Sequence, residues 1–298
     1  MASKAIVDLQ AYFERIGYSG PRDASLDALH GILAAHVRSI PFENLDVLLG
    51  RPISLAPERI AQKLIDERRG GYCFEQNTLL LHVLESLGFQ VTPLSARVRV
   101  QQPRDRFAPG GAQPPRTHMF LRVQVAGESW LADAGVGGLS LTAALRLELD
   151  TTQTTPHEPR RIVREGAWSG FAERAPDARL FHQAYFAGAW HDVYDFTLEE
   201  MPEIDRVLGN WYTSAHPESH FKNRLIVARA SAQGRVILAN RELGFRQHDG
   251  HSEKRELASR EELLSALAEH FDLRFPEGTE FACVGLDWPV PPQLTPRS

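Results

Sequence analysis

Hydrophobic positions between the N-terminus and about residue 88 recur every three or four residues, which predicts amphipathic helices. A second helical set follows Ser25, a residue type that favours the N-cap position. A third helix is expected to start close to Cys73 and to stop at Gly88, since glycine often follows a helix end. The apolar positions of the three sets are Ile6, Leu9, Phe13, Ile16; Leu26, Leu29, Ile32, Leu33; and Leu80, Leu81, Leu84, Leu87. The pattern predicts that residues 1–88 are mainly helical.

The hydrophobic period changes to two at about Gln90, which is typical of half-buried β-strands. A loop rich in Pro and Gly, residues 101–116, separates the two clearest strands. Shorter strands are predicted within 161–166 and 190–198. The alternating apolar positions are Leu94, Ala96, Val98, Val100 and Met119, Leu121, Val123, Val125. Residues 89–200 are therefore expected to form a mostly antiparallel barrel or sandwich.

Residues 201–298 combine both periods. Strands are predicted within 224–230 and 235–247, and a helix over 259–273 begins at Ser259, which is a good N-cap residue. The fold class predicted for the whole chain is α+β.

Composition excludes several classes of function. The net charge is −5, so there is no general electrostatic case for binding nucleic acid or a membrane surface. The sequence contains no run of ~18 apolar residues, so no membrane-spanning helix is predicted. Asp8 and Glu14 interrupt the apolar part of the N-terminus, so we do not expect a signal peptide. With two cysteines far apart, a cytoplasmic location fits best, and nothing in the sequence indicates an oligomeric state.

The stretch "RRGGYCFEQN" (68–77) raises the question of whether Cys73 is reactive. Gly70 and Gly71 allow a close backbone approach, and a thiol at a helix N-terminus faces unpaired N–H groups that favour the thiolate. The same N–H groups could hold an oxyanion. A buried core cysteine is the alternative, and this stretch alone leaves both open. Cys283 lacks these features and is predicted to be structural.

A nucleophilic cysteine needs a base, and the base needs an orienting group. His118 begins a strongly patterned strand, and Asp133 ends the return strand before a glycine-rich turn. If Gly127 and Glu128 form the hairpin turn, both side chains lie on one face but ~13 Å apart along the strands. Strand curvature, a bulge or another pairing would then be needed to join them.

Metal and phosphate sites find no support in the sequence. His216 and His220 are four residues apart, but Pro217 disfavours a helix between them and no carboxylate or thiol partner is evident. No phosphate-binding loop or dinucleotide-binding motif is present. We therefore predict no metal site.

Five blocks in the chain resemble those of the arylamine N-acetyltransferases and occur in the order found in that family. They are "SIPFENLD" (39–46), "RGGYCFEQN" (69–77), "THMFLRV" (117–123), "LADAGVGG" (131–138) and "NWYTSAHPESHFKNRLIVA" (210–228). The resemblance implies a helical bundle (1–88), a central antiparallel β-barrel (89–200) and a C-terminal α/β lid (201–298) around a cysteine-protease-like Cys–His–Asp core.

The resemblance also implies a double-displacement mechanism. Cys73, activated by His118 and oriented through Asp133, would take an acetyl group from acetyl-coenzyme A as a thioester. A small aromatic amine, hydrazine or hydroxylamine would then accept it. Acetyl-coenzyme A and these acceptors are the implied partners.

Other residues take roles from the resemblance. Thr117 and Gly135 correspond to backbone neighbours of the acyl site. Val136 stands where many members carry a bulky aromatic residue, which implies a wider acceptor pocket. The walls beside the thiol correspond to Phe42, Phe74 and Phe221, and the coenzyme A contacts to Tyr212 and Phe221.

Structural roles compete with some of these assignments. Phe42 and Phe74 could simply pack the junction between domains, and Arg69 with Glu75 is expected to be an ion pair. No coenzyme A phosphate contact is assigned, because Glu218 and His220 stand where animal members carry small hydroxyl residues.

Three other functions remain open. A transglutaminase-like or papain-like enzyme would use the same three residue types, but Cys73 here precedes "FEQN" rather than a Trp-containing motif. An amide synthase of the same fold would take acyl chains from a carrier protein. An amine-binding protein without activity is the third alternative, and the intact Cys–His–Asp set argues against it.

Overall fold

A computed structural model describes residues 7–100, 113–164, 179–248 and 250–288. The predicted loop over 101–116 lies mostly outside the described residues, as does Ile6 of the first predicted helix. Among the residues that are described, no helix is both long and apolar enough to cross a membrane.

The helices follow the predicted periodicity, and their ends carry the predicted caps. The second helix is capped by Ser25, whose hydroxyl accepts from the backbone N–H of Ala28, and the helix that begins at Cys73 ends just before Gly88, which has φ +89°. The α-helices are α1 (Leu9–Ile16), α2 (Leu26–Ser39), α3 (Leu45–Leu48), α4 (Pro57–Ala61), α5 (Cys73–Ser86), α6 (Glu203–Ala215), α7 (His220–Asn223) and α8 (Arg260–Phe271). A π-helical turn at Gln62–Asp66 extends α4.

Seven antiparallel strands form the central sheet, in the order β5-β4-β3-β2-β8-β7-β6. Two bridges, Leu149 to Ile162 and Gln153 to Arg160, join the segment after β5 to β6 at the opposite edge. The sheet is therefore a nearly closed barrel, which confirms the predicted α+β class. Its strands are β2 (Gln90–Val98), β3 (His118–Val125), β4 (Glu128–Ala132), β5 (Leu145–Arg146), β6 (Arg160–Arg164), β7 (Leu180–Phe186) and β8 (Ala189–Glu200).

A second, five-stranded antiparallel sheet lies in the C-terminal part, in the order β1-β9-β10-β11-β12. Its first strand, at Phe42 and Glu43, comes from the region that was predicted to be helical. These two residues form a strand because they pair with Ala228 and Val227 of the C-terminal region. The strands are β1 (Phe42–Glu43), β9 (Ile226–Ala230), β10 (Gly234–Ala239), β11 (Glu242–Gln247) and β12 (Ser252–Glu256). The division at residues 88 and 200 stays a prediction.

Two apolar cores follow from this arrangement. The larger core joins the N-terminal helices to the inner face of the barrel. The smaller core packs α8 against the second sheet and includes Leu45 and Leu48 from the N-terminal region. Burying side chains from distant segments in one core removes apolar surface from water and fixes these segments relative to each other.

Candidate active site

Cys73 is the first residue of α5, at the helix end where backbone N–H groups are not used within the helix. The carboxylate of Glu75 accepts from the backbone N–H of Tyr72 at 3.1 Å, which satisfies one group at this end. The ammonium group of Lys63 donates to the other oxygen of Glu75 at 2.7 Å. Burial raises the pKa of Glu75, and the charge of Lys63 opposes that effect. The turn that carries the thiol is therefore held by a buried ion pair.

The predicted ion pair between Arg69 and Glu75 is wrong. The Arg69 guanidinium donates to Glu43 at 2.7 Å and to Asp46 at 3.2 Å, whereas Glu75 pairs with Lys63. The reason is tertiary, since β1 and α3 bring their carboxylates to Arg69 from about 25 residues away in the sequence.

His118 and Asp133 are in contact, with 2.8 Å between Nε2 and Oδ2. The hairpin turn is at Ala126 and Gly127, which both have positive φ, and not at Gly127 and Glu128 as predicted. The register ends with Leu121 paired to Ala132, and continuing it by one residue would put Asp133 opposite Phe120, only two residues from His118. Such diagonal neighbours lie ≈7–8 Å apart at Cα, within reach of long side chains. No bulge is needed to join them.

The imidazole of His118 is buried against two aromatic rings. Its centroid lies 5.1 Å from that of Tyr194 and 6.2 Å from that of Phe120. Burial alone would lower the pKa of His118, but the charge and hydrogen bond of Asp133, together with the interaction with Cys73, raise it to about 10. Nε2 donates to Asp133, which leaves Nδ1 for the thiol.

Asn77 is a functional residue that the sequence reasoning missed. Its amide nitrogen donates to Oδ1 of Asp133 at 3.0 Å, and its amide oxygen accepts from the backbone N–H of Ala134 at 2.9 Å. It lies one helical turn after Cys73, so the same face of α5 carries the thiol and holds the carboxylate. That four-residue spacing was the signal in the sequence.

Gly135 lies directly against the nucleophile. A Cβ built on it would be 2.5 Å from the Cα of Cys73, so no other residue fits without a backbone shift. The backbone N–H of Gly135 also donates to Asp133 at 2.9 Å. The thiol of Cys73 points to the carbonyl oxygen of Thr117, 3.6 Å away. Thr117 and Gly135 therefore both lie beside Cys73, and their role at an acyl site stays a prediction.

The predicted aromatic walls form one cluster with Tyr72, which the sequence reasoning did not assign. Ring centroids lie 5.9 Å apart for Phe42 and Phe221, 5.9 Å for Tyr72 and Phe74, and 5.7 Å for Tyr72 and Phe221. The hydroxyl of Tyr72 donates to the side chain of Asn210 on α6. Aromatic packing therefore continues from the nucleophile helix to the C-terminal region.

Tyr212 and Val136, the two remaining predicted residues, lie outside this aromatic cluster. Tyr212 stacks on His216, with centroids 4.6 Å apart. Val136 is half-buried, and its backbone N–H donates to the hydroxyl of Ser140 at 3.1 Å. Within the ranges that the structure describes, no group of three or more His, Cys, Asp or Glu residues is arranged to hold a metal ion.

This arrangement can perform nucleophilic acyl chemistry. A thiol at a helix N-terminus lies beside an imidazole that a buried carboxylate keeps protonated, so a nucleophile and a proton-transfer group are neighbours. The carboxylate is itself fixed by two further donors, Asn77 and Gly135, so the imidazole has a defined orientation.

Comparisons with known proteins agree with this reading. The sequence model of a family described as N-acetyltransferase matches residues 25–279. The arylamine N-acetyltransferase of Mycolicibacterium smegmatis is 43% identical over 270 residues, which cover 90% of this chain and 92% of that protein. The "arylamine N-acetyltransferase / N-hydroxyarylamine O-acetyltransferase" of Salmonella typhimurium is 37% identical, covering 82% of this chain and 80% of its own.

A solved structure of the Mycobacterium marinum arylamine N-acetyltransferase in complex with CoA superposes with a TM-score of 0.80 at 38% identity, covering 89% of this chain and 92% of that chain. The order of the five sequence blocks, the fold and these similarities have one common explanation. The chain belongs to the arylamine N-acetyltransferase family and is an acyltransferase.

Proposed function

We propose that this enzyme transfers an acetyl group from acetyl-coenzyme A to arylamines, arylhydrazines or N-arylhydroxylamines through a thioester on Cys73. The observation that carries the proposal is the 2.8 Å contact between His118 and Asp133, with Cys73 at the start of the helix beside them. Support comes from the M. marinum relative, which was solved with CoA, and from the two reactions in the name of the S. typhimurium relative.

The first half-reaction forms the thioester. The Cys73 thiolate attacks the acetyl carbonyl carbon, the bond from that carbon to the coenzyme A sulfur breaks, and the leaving thiolate takes a proton from His118. One thioester replaces another, so the step is close to thermoneutral and the acyl-enzyme can persist until an amine binds.

The second half-reaction releases the product. The amine nitrogen attacks the thioester carbonyl, His118 accepts the proton that the nitrogen loses, and the Cys73 thiolate leaves. Asp133 stabilises the imidazolium that donates the proton in the first half-reaction and that forms again when His118 accepts the amine proton in the second. Phe42, Phe74, Thr117, Gly135, Val136 and Phe221 are proposed to line the acyl and acceptor site, and Tyr212 and Phe221 to contact coenzyme A.

We also propose a cytoplasmic location. Its support is that both cysteines, Cys73 and Cys283, are free thiols.

Intact-mass spectrometry of the enzyme mixed with acetyl-coenzyme A alone tests the first half-reaction. The wild type is expected to gain one acetyl group that hydroxylamine removes, and Cys73→Ser is expected to gain none. No adduct on the wild type, or an unchanged hydroxylamine-sensitive adduct on Cys73→Ser, would overturn the proposal. A panel of acyl-coenzyme A and carrier-bound donors with arylamines separates acetyl transfer from amide synthesis.

Substitution of Val136 tests the acceptor pocket. Val136→Phe is expected to lower kcat/KM for bulky arylamines by about tenfold or more relative to small ones, because it fills space beside the acyl site. Val136→Ala serves as the control and is expected to leave small amines within about twofold. Unchanged selectivity in Val136→Phe would show that residue 136 does not shape the pocket.

A further inference from the structure

A buried cluster of charges lies behind the active site, and the proposed mechanism does not use it. We call Glu158, Arg160, Arg235 and Arg246 the Glu158 cluster. One carboxylate accepts from all three guanidinium groups: from Arg160 at 2.9 Å, from Arg235 at 2.7 and 2.8 Å, and from Arg246 at 2.7 Å. Burial would raise the pKa of Glu158, but the three positive charges hold it well below its usual range.

Two of these arginines also hold a short turn that passes the nucleophile. We define the glycine turn as residues 135–139. Arg246 donates to the carbonyl oxygen of Gly138 at 3.1 Å, and Arg160 donates to the carbonyl oxygen of Leu139 at 3.0 Å. These two residues are consecutive, so the Glu158 cluster binds the glycine turn at its C-terminal end.

The other end of the glycine turn lies against the reacting thiol. Gly135 packs on the Cα of Cys73, and Val136 follows it. Gly137 has φ +64°, and a Cβ on it would lie 3.5 Å from the ring of Phe42. A shift of the carbonyls at 138 and 139 would therefore reach the acyl site within three residues.

The two arginines come from different parts of the fold. Arg160 begins β6 of the barrel, whereas Arg246 is on β11 of the C-terminal sheet. Gly138 is also closely packed on β10, because a Cβ there would lie 2.4 Å from the side chain of Ile237. Glu158 thus fixes the turn from both sheets at once.

The arginines depend on Glu158 for their positions. Arg160 is fully buried, and its only ion pair among the described residues is with Glu158. A buried guanidinium without a carboxylate is strongly disfavoured, so loss of Glu158 would displace the groups that hold the turn.

We propose that Glu158, through Arg160 and Arg246, is a positioning residue for the glycine turn and so determines how well the acyl-cysteine site accepts the amine. This inference rests on the proposed function, because it assigns the turn to the acceptor side of that site. Attack on the acetyl donor, the first half-reaction, is instead assigned to Cys73, His118 and Asp133.

The test uses Arg246, which is partly exposed and can be changed with less risk to folding than Glu158. Arg246→Gln removes the guanidinium that donates to Gly138 and Glu158, and Arg246→Lys keeps the positive charge on a single donor nitrogen. The matched control is Arg241→Gln, at the turn between β10 and β11 and so on the same hairpin as Arg246. It breaks an ion pair with the exposed Glu256 and leaves the bonds to the glycine turn in place. Glu158→Gln is added if it folds.

The two half-reactions are measured separately. Arg246→Gln is expected to acetylate Cys73 within about threefold of the wild-type rate, while its KM for a bulky arylamine rises about tenfold. Arg246→Lys is expected to recover part of that loss, and Arg241→Gln to match the wild type. Equal losses in both half-reactions, an unchanged KM, or the same change in Arg241→Gln would overturn the proposal.

Amide hydrogen exchange gives a readout that does not depend on the acyl donor. Peptides covering residues 133–141 are expected to exchange at least tenfold faster in Arg246→Gln than in the wild type or Arg241→Gln. Unchanged exchange there would overturn the positioning role even if acetylation of Cys73 occurs. Faster exchange in an enzyme that forms no acetyl adduct would uphold the positioning role and instead reject the proposed function.

Discussion

At the scale of single residues, Asn77 joins three parts of the active site. Its side chain bonds Asp133, the backbone of Ala134 and the carbonyl oxygen of Met119 on β3, the last at 2.7 Å. All of these groups are buried, where an unpaired polar atom costs about 1–3 kcal/mol. One amide therefore sets the position of the Asp133 carboxylate relative to the helix that carries the thiol.

Asn77→Ala is expected to lower kcat for acetyl transfer about 100-fold, because Asp133 and with it His118 lose their fixed orientation. Steady-state kinetics measure this, and the urea midpoint reports stability. The control is Gln76→Ala, which removes a buried amide on the same helix that bonds Pro41 and His36 but not Asp133. Equal losses of kcat in the two variants, once both are folded, would contradict a positioning role for Asn77.

The titration of His118 gives a second prediction at this scale. Its pKa in the folded protein, about 10, lies above the ordinary 6.5, so the imidazolium stabilises the fold fully below pH 6.5 and this contribution is lost as the pH rises through about 10. The free energy of unfolding should fall by a few kcal/mol across that window in the wild type. The fall should be smaller in His118→Gln.

Urea unfolding at several pH values between 6 and 10.5 measures the effect. His30→Gln is the control, since burial lowers the pKa of His30 and its titration lies below the window. A pH profile of His118→Gln parallel to that of the wild type would show that the imidazolium does not stabilise the fold.

At the scale of elements, the N-terminus of α5 depends on a buried pair of charges. Glu75 caps the helix by accepting from the backbone N–H of Tyr72, and Lys63 on the π-helical turn neutralises it. Lys63 also contacts Asp46 at 2.8 Å. The helix start is thus tied to two neighbouring elements and not only to its own first turn.

Glu75→Gln is expected to destabilise the protein by about 3 kcal/mol, because removal of one partner leaves part of a buried charge unpaired. The urea midpoint measures this. On α8, Glu262 accepts from the backbone N–H of Ala258 at 2.8 Å in an exposed position, so Glu262→Gln should cost less than about 1 kcal/mol. Similar costs for the two variants would contradict a buried ion pair at α5.

The other element that decides the site is the β3–β4 hairpin. Its turn at Ala126 and Gly127 places Asp133 two residues from His118, whereas a turn one residue later would place it four residues away. A one-residue move of the turn thus changes the separation by two residues, since both strands shift relative to each other.

At the scale of the whole molecule, Asn44 links the N-terminal region to the C-terminal one. Its amide nitrogen donates to the carbonyl oxygens of Phe221 and Arg224, both at 2.8 Å, and its oxygen accepts from the backbone N–H of Ile226 at 2.9 Å. These partners are about 180 residues away in the chain. The aromatic ring of Phe221 is therefore held beside Phe42 partly by this amide.

Asn44→Ala is expected to cost about 3 kcal/mol of unfolding free energy, since three buried hydrogen bonds are lost at about 1 kcal/mol each. Urea unfolding measures it. Asn223→Ala is the matched control, because that amide also donates to two carbonyls, at 2.9 Å each, but within its own exposed turn. We expect less than about 1 kcal/mol for the control, and an equal cost in both would contradict a long-range link.

Much of the fold could be predicted from the sequence where the signal is local. The start of α5 at Cys73, the caps at Ser25 and Ser259, and the extended conformation of β2 and β3 all depend on residues within a few positions of each other. Those side chains act on their own backbone, so their effect needs no knowledge of distant segments.

The sequence by itself therefore determined the helices and strands with a clear hydrophobic period, such as α2, α5, α8, β2 and β3. It also determined the three chemical groups at Cys73, His118 and Asp133, and the order of its sequence blocks identified the family. The tertiary structure decided the hairpin register, the partner of Arg69, the pairing of β1 with the C-terminal sheet and the hydrogen bond from Asn77 to Asp133. Each of these depends on which distant surfaces bury each other, and a buried charge or amide takes whichever partner that packing places within about 3 Å.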